Sequence, residues 1–472
     1  MFKIPRIALF IFSLLLTLQI DAQLILTDSL AGFENHSFFG ASVSISGDRM
    51  AVGSPRDHTQ GFHAGRVDIY EWDGTDWILM GNPLYAQGER ELFGNNLKLE
   101  GNRLAVVAAT NTEAIDPVGY VQVFDWDGQA WMPLGDPMYA DTAVQEFFGT
   151  SIDLRGNRIA FTYPNTETPP VVYSSTVYEW NGTDWNQLGT PLLSGNTKTN
   201  LALTDNLLIV SAPSINQNFP ETWGGGVYTF AFDGTDWMGI DTLRGPHGSQ
   251  YGYALETDGD LLAVSAWGQT GSNGFVEFRE WNGSNWDQIG DQLTGSNGST
   301  GFGFQLAIEE DVLAVGSAEE IFNDGNPATV RVYKRTGDSW DERGQFSYVT
   351  QTQQYTALEI SQETVAIGLA LNNQNRGFVR LYDLSGVTSN HSFTVHPLSV
   401  YPNPTTGQLQ VTLPESTTGT LRVFDAFGRL ERQLPVRGQT LDIDLTASGT
   451  GTYLVQISSG SQIYQTSIVV TR

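Results

Sequence analysis

Residues 39–55 read Phe39-Gly40-Ala41-Ser42-Val43-Ser44-Ile45-Ser46-Gly47-Asp48-Arg49-Met50-Ala51-Val52-Gly53-Ser54-Pro55, and residues 65–77 read Gly65-Arg66-Val67-Asp68-Ile69-Tyr70-Glu71-Trp72-Asp73-Gly74-Thr75-Asp76-Trp77. Apolar residues alternate at Val43/Ile45, Met50/Val52 and Val67/Ile69, the period of half-buried strands. Gly47-Asp48 separates the first two runs, and both residue types accept the positive φ of a tight hairpin turn. A second hairpin turns at Asp73-Gly74-Thr75-Asp76. The stretch therefore reads as four strands.

Most of the chain repeats this unit. Aligned on Ile45, the equivalent positions are Leu99, Leu154, Leu203, Thr257, Ile308 and Ile360, which makes seven copies at steps of 54, 55, 49, 54, 51 and 52 residues. Such a period fits propeller blades rather than helical solenoids. The second hairpin recurs, as in Trp126-Asp127-Gly128 and Trp180-Asn181-Gly182, but the seventh copy stops at Asp383 without it. Its missing outer strand is expected at Ile25 to Leu30, 54 residues before Leu79 to Leu84. Pairing that segment into the last blade closes the ring and hides its edges. The expected fold is all-β: a seven-bladed β-propeller closed by the N-terminal strand, followed by a small C-terminal β-sandwich.

The unit resembles the FG-GAP repeat of integrin α-subunit propellers and their bacterial relatives. The resemblance rests on Phe39-Gly40, Gly47-Asp48, Val52-Gly53-Ser54-Pro55 and Gly65 to Tyr70, with later pairs at Phe93-Gly94, Phe148-Gly149, Tyr251-Gly252 and Phe302-Gly303. Members of that family often carry a calcium loop between the first two strands. Here that connection is only Ser46-Gly47-Asp48, so calcium is not carried over and neither cofactor nor metal is expected. The Tyr70 to Trp77 spacing also looks like a Kelch blade without its paired glycines.

The N-terminus has Lys3 and Arg6, an apolar run from Ile7 to Leu18 and a small Ala22, the pattern of a secretory signal over residues 1–22. Its removal leaves a formal charge of −29 and no apolar span long enough for a membrane helix. A chain this acidic repels nucleic acid and anionic membrane surfaces. It contains no cysteine, which excludes a disulfide framework, a thiol nucleophile and a lipidated N-terminal cysteine. Stability must come from a large repeated core.

Residues 23–386 form the expected ring. In this strand order the short turns gather on one face and the long connections on the other, where binding residues usually lie. Trp223 and Trp267 are the only 2 of the 12 tryptophans outside the repeated hairpin, and both fall in those loops. An exposed indole there would stack on a sugar or anchor a protein. Asp57, His58 and His63 lie in the first long loop, with His36 nearby, but their spacing matches no metal-ligand motif. Glu319, Glu320, Asn323 and Asp324 form an acidic loop without the alternation of a calcium site.

The expected function is non-catalytic: binding or adhesion to an extracellular protein or glycan through the loop face. Two alternatives are a glycan-active hydrolase on the same scaffold and a structural surface-coat component. The hydrolase reading has weak support. Asp73-Gly74-Thr75-Asp76-Trp77 differs in spacing from the Asp-box of sialidases, and Arg56, Arg90 and Arg244 are too scattered to clamp a substrate carboxylate.

Residues 387–396 read as a linker. From 397 to 472 the pattern changes to Tyr401-Pro402-Asn403-Pro404 with Gly407, Val423-Phe424-Asp425-Ala426-Phe427-Gly428-Arg429, Gly451-Thr452-Tyr453-Leu454-Val455 and a closing Ile468-Val469-Val470. This tail resembles the type A C-terminal sorting domain of the type IX secretion system of Bacteroidota. The resemblance implies recognition by that machinery, through Pro402, Asn403, Pro404, Gly407, Asp425, Gly428, Gly451 and Tyr453, and delivery to the cell surface or medium. Asp28-Ser29-Leu30, Asp141-Thr142-Ala143 and Asp241-Thr242-Leu243 look like the short O-glycosylation acceptor of some of these bacteria.

Overall fold

A computed structural model describes residues 25–109, 119–139, 148–165, 172–194, 199–213, 224–267, 273–295, 301–317, 328–348, 356–371, 375–384, 394–425, 430–459 and 462–471. The signal segment lies outside them. Seven antiparallel sheets of four strands, three with one further short strand, follow one another along the chain. Blade 1 is Ser42–Ser46, Arg49–Ser54, Arg66–Trp72 and Trp77–Leu79. Each blade's first strand lies against the first strand of the next, and that of blade 7 against that of blade 1, so the array is a ring.

Closure follows the expected scheme. The N-terminal strand Ile25–Ala31 pairs antiparallel with Phe378–Asp383, the third strand of blade 7, from Ile25 opposite Asp383 to Ala31 opposite Phe378. This pairing of the two ends of the ring covers a strand edge that would otherwise be exposed.

The core lies between blades. One example sets Val67 and Ile69 of blade 1 against Leu97, Leu99, Leu104 and Val106 of blade 2, all buried. Each such side chain contributes roughly 1.5–3 kcal/mol on burial. The Phe-Gly pair has a specific task. The backbone of Phe93 bridges Gly65 of the preceding blade, and that of Phe39 bridges Gly377 across the ring closure. Gly65 has φ 97°, and a Cβ there would lie 2.2 Å from the Phe93 carbonyl oxygen, so no other residue fits.

The hairpin tryptophans also join blades. Trp185 donates its indole N–H to the Leu134 carbonyl and Trp237 to that of Leu188, each at 2.9 Å and each one blade back. Their turns are fixed by an Asx residue: Asp73 accepts the N–H groups of Thr75 and Asp76 at 2.8 and 2.9 Å.

The tail is one six-stranded sheet that folds over on itself through the long strands Gln408–Asp425 and Leu430–Asp444. Leu409, Val411, Leu421, Val423, Val455 and Ile468 fill the space between its layers. Thr394–Pro397, at the end of the stretch read as linker, is already a strand of this sheet, parallel to Gln462–Val470. Phe424 alternates with Val423 and so points the other way. It is fully buried in the hydrophobic cluster that holds Leu26, Tyr382 and Leu384 of blade 7.

Candidate functional site

The inner strands line an axial cavity of about 740 Å³. Its mouth is ringed by Phe38, Arg56, Leu92, Tyr253 and Phe304, residues in or beside the long connections, so it opens on the loop-rich face. The inner strands present polar side chains across blade boundaries, which satisfies the N–H groups an edge would leave exposed. Ser44 accepts the Leu99 N–H at 3.1 Å, Ser151 that of Leu201 at 3.0 Å and Asp153 that of Leu203 at 2.7 Å.

The position immediately before the alignment residue is Ser44, Lys98, Asp153, Ala202, Glu256, Ala307 and Glu359 in blades 1 to 7. Lys98, Asp153, Glu256 and Glu359 all border the cavity, one ammonium among three carboxyl groups. Lys98 Nζ lies 3.5 Å from Glu359 Oε1, with side chains 26% and 22% exposed to the water of the channel. The Glu359 carboxylate holds the Lys98 ammonium above its ordinary range. Burial pushes all three acids up. For Glu256 the rise reaches about 8, because the like charges of Glu359 and Asp153 add to burial and the Lys98 ammonium offsets them only in part. Among the described residues no hydrogen-bond donor reaches the Glu256 carboxyl group.

Aromatic rings guard the entrance. Tyr253 stacks on Trp267 at 5.0 Å between centroids and tilts against Phe304 at 5.4 Å. Burial pushes the Tyr253 phenol up to about 12. Asn200 Nδ2 donates to the Tyr253 carbonyl from the neighbouring blade and holds this strand in place. Opposite them, the Arg56 guanidinium lies 4.5 Å over the Phe38 ring.

The loop residues singled out by sequence are distributed differently. Trp267 is half-buried and packs against the mouth residues Tyr253 and Phe304 rather than lining the cavity itself. Trp223 lies outside the described residues, as do Glu319, Glu320, Asn323 and Asp324. Asp57 is buried and turned into its own loop, where its carboxylate accepts the Thr59 N–H at 2.9 Å. His58 and His63 are half-buried around Phe62, with centroids 5.2 and 4.0 Å from that ring, and the Arg90 guanidinium covers it at 5.1 Å. Among the described residues no three His, Asp or Glu side chains converge as metal ligands. Ser29 is buried in the closing strand, Thr242 is exposed on an outer strand, and Thr142 lies outside the described residues.

In the tail the first motif residues build the turn between the strands Ser399–Tyr401 and Gln408–Asp425. Asn403 donates to the Ser467 carbonyl at 3.0 Å and accepts the Val469 N–H at 2.9 Å, while Pro402 and Pro404 flank it through cis peptide bonds. Gly407 has φ 120° and packs on Thr446. Asp425 pairs with Tyr453, whose hydroxyl donates to Gly449 at 2.8 Å, and Gly451 begins that strand. Gly428 lies outside the described residues.

Family models match both parts of the chain: an FG-GAP repeat over residues 31–70 and a secretion system C-terminal sorting domain over residues 399–471. The chain carries an FG-GAP repeat and a sorting domain. The sorting domain marks it for type IX export to the cell surface or extracellular space, and so implies interaction with that machinery. No curated protein matches the chain. Among solved structures it is similar to a chain of the mitotic checkpoint complex, at 12% identity over 81% of this chain and 99% of that one, with a TM-score of 0.48. It is also similar to PorZ of Porphyromonas gingivalis, described as an essential surface component of the type IX secretion system, at 11% identity over 91% and 70%, with a TM-score of 0.31. The β-propeller domain of the Trilobed protease from Pyrococcus furiosus gives 10% identity over 73% and 95%, with a TM-score of 0.38. Among the described residues no helix is long and apolar enough to cross a membrane.

Proposed function

We propose that this exported propeller is a non-catalytic binding protein that receives an extracellular protein or glycan on its loop-rich face, at the mouth of the axial cavity. The observation that carries the reading is the cavity itself, about 740 Å³ in volume and entered past the rings of Tyr253 and Phe304, against which Trp267 packs. A concave site of this size, with aromatic walls and a few convergent polar groups, has the form of a ligand pocket. Rings held by their neighbours offer stacking area at little cost in ordering.

The test is a glycan-array and matrix-protein screen of the purified chain, with calcium and with a chelator. Saturable binding that Trp267→Ala weakens about tenfold or more is the expected result, since an aromatic anchor at a site centre contributes over about 1 kcal/mol. Binding indifferent to Trp267→Ala and Tyr253→Ala would move the site off the mouth.

One observation favours the hydrolase as a second reading. Glu256 borders the cavity together with Asp153 and Glu359, and burial pushes its carboxyl group up, the direction a general acid beside a second carboxyl group requires. Turnover of chromogenic glycosides, abolished by Glu256→Gln, would replace binding with catalysis as the function.

A further inference from the structure

The chemistry at the floor of the cavity narrows the ligand. We propose that the axial cavity binds a protonated organic amine, seating its ammonium group among Glu256, Asp153 and Glu359; this rests on the mouth of the cavity being the binding face.

Three observations converge. First, the floor is short of positive charge: three carboxyl groups from blades 3, 5 and 7 face one ammonium, Lys98, which is committed to Glu359 at 3.5 Å. Second, there is room. The cavity of about 740 Å³ borders both these charged groups and the mouth residues Tyr253 and Phe304. Third, the Glu256 carboxyl group receives no donor from the described residues, although it faces the same space.

The class of cation follows from the arrangement of the acids. A small divalent ion needs several oxygens drawn to one point, and no such convergence of three acids exists among the described residues. An alkylammonium group suits carboxylates that are spread around a wall, because it donates three hydrogen bonds in divergent directions. Its carbon chain would run outward toward Tyr253 and Phe304 at the mouth. Those aromatic faces accept both alkyl carbon and a second cationic centre.

Proton linkage gives the proposal a signature in the unaltered protein. Glu256 faces Lys98, Glu359 and Asp153, and in that company it holds its proton up to about pH 8. An incoming ammonium favours the carboxylate, so binding at pH 7 releases a proton, and affinity rises as the pH is raised toward 8.

The experiment is calorimetric titration of the purified full chain at pH 7 with n-butylammonium and with Nα-acetyl-lysine methylamide, the first standing for a small amine and the second for a protein side chain. Potassium chloride is the control. Each titration is run in two buffers of different ionisation enthalpy. The expected result is saturable binding of one or both amines, release of about one proton per amine bound, and affinity at least about tenfold lower in Glu256→Gln and Glu359→Gln. Preference between the two amines identifies the source of the ammonium. No saturable binding of either amine overturns the inference, as does amine binding without proton release and unchanged in both variants. Equal competition by potassium also overturns it, by assigning the floor to an inorganic cation. If the screen above finds a ligand sensitive to Trp267→Ala while both amines fail, the binding face stands and only this inference falls.

Discussion

The two sides of each inner strand obey different rules. On one side, Ile45, Leu99, Leu154, Leu203, Thr257, Ile308 and Ile360 fill the space between blades, six of the seven being aliphatic. On the other, one residue earlier, stand Ser44, Lys98, Asp153, Ala202, Glu256, Ala307 and Glu359, with no common character. The inter-blade side must pack against a neighbour of fixed shape, so every copy answers the same requirement. At the second register Ala202 and Ala307 are also buried between blades and Ser44 and Asp153 bond the next blade, but Lys98, Asp153, Glu256 and Glu359 border the cavity, where a copy can vary without disturbing a blade. Repetition therefore reports the scaffold, and departure from repetition at a single register reports what the scaffold encloses.

Substitutions on the two sides should differ in size and in pH dependence. The largest effect is expected at the inter-blade core. Phe93 is 2% exposed, meets Phe124 edge-on at 6.2 Å and carries the backbone bridge to Gly65. Phe93→Ala should cost about 3–5 kcal/mol, read as a shift in the urea midpoint that is the same at pH 5 and pH 8. A loss that varied with pH would mean that the packing core and the axial charges are not separable.

Lys98→Met tests the axial side. At pH 8 it leaves three carboxyl groups facing one another without their cation. Breaking a fully buried pair costs about 3–5 kcal/mol, and the channel water that reaches both partners reduces this to about 2 kcal/mol. At pH 5 the loss should shrink, because burial raises all three acids and Glu256, pushed up to about 8, carries its proton there, so fewer charges are left unpaired. Equal losses at both pH values would make Lys98 a packing residue.

The scaffold was legible because its cause is local and repeated. Alternating Val43/Ile45 and Met50/Val52, the turn at Gly47-Asp48 and the missing hairpin after Asp383 were enough to place the closing strand against Phe378–Asp383. The tail was legible for the same kind of reason, since Asn403 and Gly407 each meet a backbone requirement of one turn. The floor of the cavity was not read. Lys98 and Glu359 are 261 residues apart in sequence and meet only because the ring closes. The signal lies in the repeat as charged residues, Lys98, Asp153, Glu256 and Glu359, one position before the aliphatic residues that pack between blades. Of the loop residues, Trp267 packs against the mouth residues Tyr253 and Phe304, whereas Asp57 serves its own turn and His58 and His63 gather around Phe62.

The smallest effect is expected at Glu256, and its sign is the most informative. Its carboxyl group titrates near 8 in the folded chain, above the ordinary 4.5. The folded state then binds this proton more tightly than the unfolded state, so the contribution of Glu256 is most favourable below pH 4.5 and is lost as the pH rises toward 8. Glu256→Gln cannot ionise and escapes that loss. Its thermal midpoint should match the parent at pH 4.5 and exceed it at pH 8. If the variant were instead less stable at pH 8, Glu256 would be ionised and held by Lys98, the axial charges would be balanced pairwise, and the floor of the cavity would have no call on a cation from outside.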